Sequence, residues 1–191
     1  MSSIISLNDR HTDATQKLIL STAVELLERS GVADLTVRAV ARAAGMSERT
    51  IFRYFPSRDE FLDAVAAEAT RRMHAPAPPG SIKELLDYPA HLYTRFEENA
   101  PLVAAVLHTE IFSRVRETVA QERWQAVTEL VKKNAKGLSK KERKTAATNI
   151  SYFLSATTWN YYRSRFGLSL EETIDCAKSA IRLVVAEFEQ K

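Results

Sequence analysis

The chain has one cysteine, Cys176, in 191 residues, so no internal disulfide can form and the expected compartment is reducing, the cytoplasm by default. Glycine and proline are scarce, at five and six residues, which excludes a fold of many short strands and tight turns. No eighteen apolar residues run together, and the first eleven, MSSIISLNDRH, lack the charged start and apolar run of a signal peptide. No membrane partner is expected. Enzyme signatures are missing as well. No two glycines lie close enough for a phosphate-binding loop, no G-x-S-x-G occurs, and none of His11, His74, His91 and His108 follows a glutamate by three residues. Nucleotide chemistry, acyl transfer and a helical di-metal site are therefore not expected. The reading is a non-enzyme with no cofactor and no metal. His108, between Leu107 and Thr109, reads as a core or pocket histidine, and Cys176 as a small buried residue.

What the chain does have is helix-forming material. An apolar share of 45% is enough for a core, and long stretches rich in Ala, Leu, Glu, Lys and Arg predict an all-α fold. The net charge of +3 identifies no partner by itself. Its distribution is more telling. Residues 36–58 hold five arginines (38, 42, 49, 53 and 58) against one acid, Glu48, while residues 1–75 as a whole carry ten basic and ten acidic residues. A local basic patch of this kind indicates a docking surface.

Periodicity and caps place about nine helices. Residues 1–11 read as a flexible tail. Asp13 with Gln16 resembles a capping box, and a first helix over 14–30 ends at Gly31. Thr36 caps a short second helix with Leu35 and Val40 as its hydrophobic staple, and Gly45 closes it. Ser47 caps a third helix at once, with Met46 stapled to Ile51, so the pair forms a helix-turn-helix within residues 12–56. Pro56 ends the third helix, and Ser57 with Glu60 opens a connecting helix over 57–75. The breaker cluster HAPAPPGS at 74–81 marks a boundary. Beyond it, residues 76–191 read as a second module with helices near 82–98, 101–113, 116–136, 140–166 and 169–189.

The third helix carries the chemistry. Ile51 and Phe55, four apart, point to one side and pack on the second helix. Glu48, Arg49, Phe52 and Arg53 then face outward, with Thr50 and Tyr54 at the flank. Arginine can bond two acceptors on a guanine edge, and Thr or Phe can touch a thymine methyl. Thr36, Ser47 and Tyr54 offer hydroxyls to phosphate oxygens. Arg38, Arg49 and Arg58 all fall in the first turns of helices, where the macrodipole disfavours a cation unless an anion neutralises it. DNA supplies such anions, and double-stranded DNA is the expected partner.

The stretch GVADLTVRAVARAAGMSERTIFRYFPSRDEFLDAV resembles the N-terminal domain of TetR family transcriptional regulators, in its first-helix glycine, its Thr-Val opening, its A-x-x-A-G-M-S turn and its aromatic RYF ending. Phe52 stands where that family commonly has tyrosine, and Arg58 where lysine is usual. The resemblance implies a homodimer on a palindromic operator, with half-sites about 34–36 Å apart, and repression relieved by a small molecule held in the C-terminal ligand-binding and dimerisation domain. For that ligand, a small apolar or aromatic effector, Phe96, Trp124, Phe153, Trp159 and Asn160 are the candidate pocket residues. For the dimer, Leu170, Ile174, Ala177, Ile181, Val184 and Phe188 form a stripe spaced 4, 3, 4, 3, 4, and Leu154 and Tyr161 extend it on the preceding helix. Two alternatives stay open: a DNA-binding regulator controlled by a protein or by no ligand, and a helical interaction protein that binds no DNA.

Overall fold

The computed structural model describes residues 7–30, 35–108, 111–115 and 120–188, and among them there is no β-strand. Eleven helices follow in order: α1 (Leu7–Ser30), α2 (Val37–Ala43), α3 (Glu48–Tyr54), α4 (Arg58–Met73), α5 (Ile82–Glu98), α6 (Ala100–Leu107), α7 (Ile111–Val115), α8 (Gln121–Asn134), α9 (Lys140–Phe153), α10 (Ala156–Phe166) and α11 (Leu170–Ala186). The all-α expectation holds. The number exceeds nine because two expected helices are each divided in two.

The helix expected over 140–166 breaks at Leu154 and Ser155. Ser155 Oγ accepts the Thr158 N–H at 3.2 Å and donates to the Tyr152 carbonyl at 2.7 Å. A serine that caps forward and bonds backward gives the chain an alternative to continuous helix. The helix expected over 101–113 breaks because α6 stops at Leu107, with His108 outside helical conformation. His108 is therefore an exposed helix terminus, not a core or pocket residue, and Cys176 is exposed, not buried. α1 starts at Leu7, inside the expected tail, so Asp13 and Gln16 lie within the helix and do not cap it. Gly31 and the opening of the helix expected at 116 lie outside the described residues.

The helix-turn-helix forms as its caps dictate. Thr36 Oγ1 accepts the Ala39 N–H at 3.1 Å. At the other end of α2, Met46 N–H bonds to Ala41 O at 2.8 Å and Gly45 N–H to Arg42 O at 3.3 Å, the two bonds of a Schellman motif. Gly45 sits at φ +65°, where a side chain would cost about 1–2 kcal/mol. This tight stop lets Ser47 start α3 almost immediately. Val40, Ala41, Ile51 and Phe55 then bury against Ile19, Ala23 and Leu27 of α1 and Phe61, Leu62 and Val65 of α4. Phe55 meets Phe61 edge to face at 5.6 Å.

α1 packs on α4 and α6, and α4 packs on α6 and α7, so the N-terminal helices rest on the first helices beyond the proline-rich linker. α11 lies on α5 and α9 of its own chain. That arrangement corrects the expected dimer stripe. Leu154, Ala177, Ile181 and Phe188 are buried inside the protomer, and Leu170, Ile174 and Val184 pack half-buried against the same core. A heptad-like spacing shows that a helix has a partner, but not whether that partner belongs to the same chain. Of the expected interface residues, Tyr161 is the one that stays well exposed.

Candidate nucleic-acid interface and the cavity behind it

α3 presents its outer face as its periodicity requires. Ile51 is buried within it and Phe55, its C-cap residue, just beyond it, whereas Glu48, Arg49, Phe52 and Arg53 are exposed. Phe52, at 41% exposure, is a large apolar side chain left in water on an otherwise polar face. Ser47 caps the helix, its Oγ accepting the Thr50 N–H at 3.1 Å and lying 2.9 Å from the Thr50 hydroxyl. Of the three hydroxyls expected to reach phosphate, those of Ser47 and Thr36 thus also serve as helix caps.

The arginines differ in what holds them. Arg38 Nε donates to Glu48 Oε1 at 3.0 Å, so part of the anion that the first-turn arginines require comes from within the protein. Both partners are largely exposed, and such a pair contributes about 0–1 kcal/mol, which a phosphate can readily replace. Arg53 leans along the helix onto Tyr54, its guanidinium carbon 5.1 Å from the ring centroid and Nη2 3.3 Å from the hydroxyl. Hydrogen bonds from Thr15 and then Arg53 hold the Tyr54 hydroxyl below its ordinary pKa. Its oxygen accepts, and its proton remains available for an outside acceptor. Arg49 makes no hydrogen bond or ion pair to another described residue. Arg58 is exposed at the first position of α4. There Ser57 Oγ accepts the Glu60 N–H at 3.1 Å, but Glu60 takes the Ser57 hydroxyl and not its backbone N–H, so the expected capping box is only half formed.

Behind this face, α4 runs to a cavity of about 480 Å³ between α4 and the helices from α5 to α10. Of the five residues expected there, Phe96 and Trp124 line it. Trp159 instead packs its ring against Phe96 at 5.8 Å in the core. Phe153 turns toward Tyr152 and gives its carbonyl to Tyr93, and Asn160 bonds Ser164 through its backbone. The sequence reading missed the rest of the lining. Ser151, Tyr152 and Ser155 reach the cavity because α9 and α10 separate there, and α7 adds Phe112 and Val115. The S-x-x-T pattern at 155–158 was the available signal for that separation.

α7 also touches α4. Arg114 Nη2 donates to Asp59 Oδ1 at 2.7 Å, and Nη1 to Asp63. One short helix therefore has two residues on the cavity wall and a third clamped to the first turns of α4, next to Arg58. Among the described residues no cluster of metal-binding side chains occurs and no helix is long and apolar enough to cross a membrane.

Residues 19–65 match the bacterial regulatory proteins of the tetR family. An uncharacterised HTH-type transcriptional regulator of Mycobacterium bovis is 30% identical over 110 residues, which is 54% of this chain and 54% of that protein. Another from Mycobacterium tuberculosis is 34% identical over 67 residues, 35% of this chain and 33% of that one. The chain thus spans about half the length, or less, of these curated relatives. Among solved structures, a tetR-family transcriptional regulator from Streptomyces coelicolor superposes with a TM-score of 0.60 at 15% identity, over 93% of this chain and 84% of that one. A TetR variant from Acinetobacter baumannii in complex with minocycline superposes at 0.56 and 15% identity, over 91% and 96%. At such identities the structures speak for a TetR-like fold, and the family match over residues 19–65 for a tetR-type helix-turn-helix at its N-terminal end.

Proposed function

We propose that the chain is a homodimeric repressor that reads a palindromic operator with α3 in the major groove and leaves it when a small molecule fills the cavity. The observation that carries this reading is the outer face of α3, where Arg49 and Arg53 stand exposed with no carboxylate partner among the described residues, beside a buried Ile51 that fixes their direction. The test is selection of bound sites from random double-stranded DNA. A two-fold symmetric sequence with half-sites about one helical turn apart is the expected product, and an unenriched pool counts against it.

The release mechanism follows from α7. A ligand pressing on Phe112 and Val115 displaces the helix that holds Arg114, and Arg114 passes the displacement to Asp59 and Asp63 at the DNA end of α4. Allosteric coupling typically amounts to about 1–3 kcal/mol, or 5- to 150-fold in affinity. In Arg114→Ala the ligand should still bind, but the operator affinity ratio without and with ligand should shrink to within about threefold of unity. Anisotropy titrations at saturating ligand measure that ratio; a ratio equal to wild type removes Arg114 from the path.

A further inference from the structure

The cavity wall contains a charge that the release mechanism does not use. Arg123, on α8, is 8% exposed, and its planar guanidinium carries five N–H donors. Its polar neighbour among the described residues is the Tyr88 hydroxyl, in a loose contact, and that hydroxyl donates its own proton to Pro76 O at 2.8 Å. The half-buried arginines Arg72, Arg114 and Arg163 each end on a carboxylate; among the described residues the more deeply buried Arg123 has none. A buried cation without a counter-ion is strongly disfavoured, and one neutral hydroxyl serves only one of its five N–H groups. Two buried hydroxyls in other lining residues, Thr70 Oγ1 and Ser151 Oγ, also lack hydrogen-bond partners. Proteins rarely leave such groups unsatisfied.

We propose that the cavity takes a monocarboxylate with an apolar, partly aromatic body, its head group bound by Arg123 and assisted by the Thr70 and Ser151 hydroxyls. This assignment rests on the reading of the cavity as the effector site and narrows the ligand expected there. The forked guanidinium matches the two oxygens of a carboxylate. Among the described residues Arg123 is the one charged residue in the lining, so it balances a single negative charge; a phosphate dianion would leave one charge uncompensated among apolar walls. Phe96, Phe112 and Trp124 supply flat surfaces for the body, and a volume of about 480 Å³ is that of a small-molecule site.

The test compares acids with their uncharged amides by calorimetry on the full chain: naphthylacetate against naphthylacetamide, and dodecanoate against dodecanamide. In at least one pair the acid should bind at least about tenfold more tightly, the advantage typical of a charged hydrogen-bonded pair. Arg123→Met should abolish the advantage by weakening the acid far more than the amide, and Arg123→Lys should keep part of it. The Met variant removes a buried unpaired charge, so it should melt at or above the wild-type temperature; if it fails to fold, the wild-type comparison of acid with amide decides. Equal binding of acid and amide in both pairs, no binding by either acid, or an acid preference that survives Arg123→Met overturns the assignment. Operator affinity is followed separately by anisotropy. An acid preference with no effect on the operator sinks the release mechanism and leaves the carboxylate site standing.

Discussion

With Arg49 and Arg53 both changed to alanine, affinity for the selected operator should fall at least about thirtyfold, while thermal stability stays at the wild-type value. Each bidentate contact from arginine to a base contributes about 1–3 kcal/mol of discrimination, so two give about 2–6 kcal/mol. Neither side chain enters the core that Ile51 and Phe55 form with α1 and α4, and exposed substitutions of this kind usually change stability by less than about 0.5 kcal/mol. The single variants should differ. Arg49 has no competing partner among the described residues, whereas Arg53 must leave Tyr54 to reach a base, giving up a contact of about 0.5–1 kcal/mol. Arg49→Ala is therefore expected to be the more damaging. Anisotropy against operator and scrambled DNA measures both terms, and a double variant that binds the operator as wild type does would place the reading surface elsewhere.

Local chemistry explains why this part of the chain was legible. Thr36, Gly45, Ser47 and Ser57 act through bonds that span three to five residues, so the sequence itself contains both partners, and the helix boundaries they imply agree closely with α2, α3 and α4. Arg38 shows the limit of that reasoning. Its first-turn position is visible locally, but its partner Glu48 lies ten residues away across the turn. The cavity was less legible for the same reason. Phe96 and Trp159 are both aromatic and both on apolar helices, yet one lines the cavity and the other fills the core beside it. Nothing in their spacing separates the two outcomes. Arg123 drew no notice among 27 basic residues, because its meaning comes from burial, and burial is set by helices distant in sequence.

The same distinction redirects the test of the dimer, and the second large effect is expected at Leu183. The apolar stripe of α11 is covered by α5 and α9 of the same chain, so a charge at Ile181, which is fully buried, would unfold the protomer and report nothing about association. The opposite face carries Glu172, Cys176, Ser179, Leu183 and Ala186, spaced 4, 3, 4, 3 and all exposed. Leu183 is 71% exposed, and Tyr161 and Phe166 on the adjoining α10 are 53% and 60% exposed. α10 packs on α11, which sets these side chains on adjoining helices; burial, and then Cys176, raise the Tyr162 hydroxyl above its ordinary pKa. Small residues flanked by large apolar ones suit close helix packing against a second copy. A two-fold axis repeats every contact, so Leu183→Glu places two uncompensated charges in the interface at once. Joining two half-site contacts commonly raises affinity by about 10²–10⁴. Leu183→Glu should therefore sediment as a monomer at concentrations where the proposed wild-type dimer is expected to form, retain its helical signal and melting temperature, and bind the selected operator at least about a hundredfold more weakly. A variant that sediments as wild type places the interface on another face.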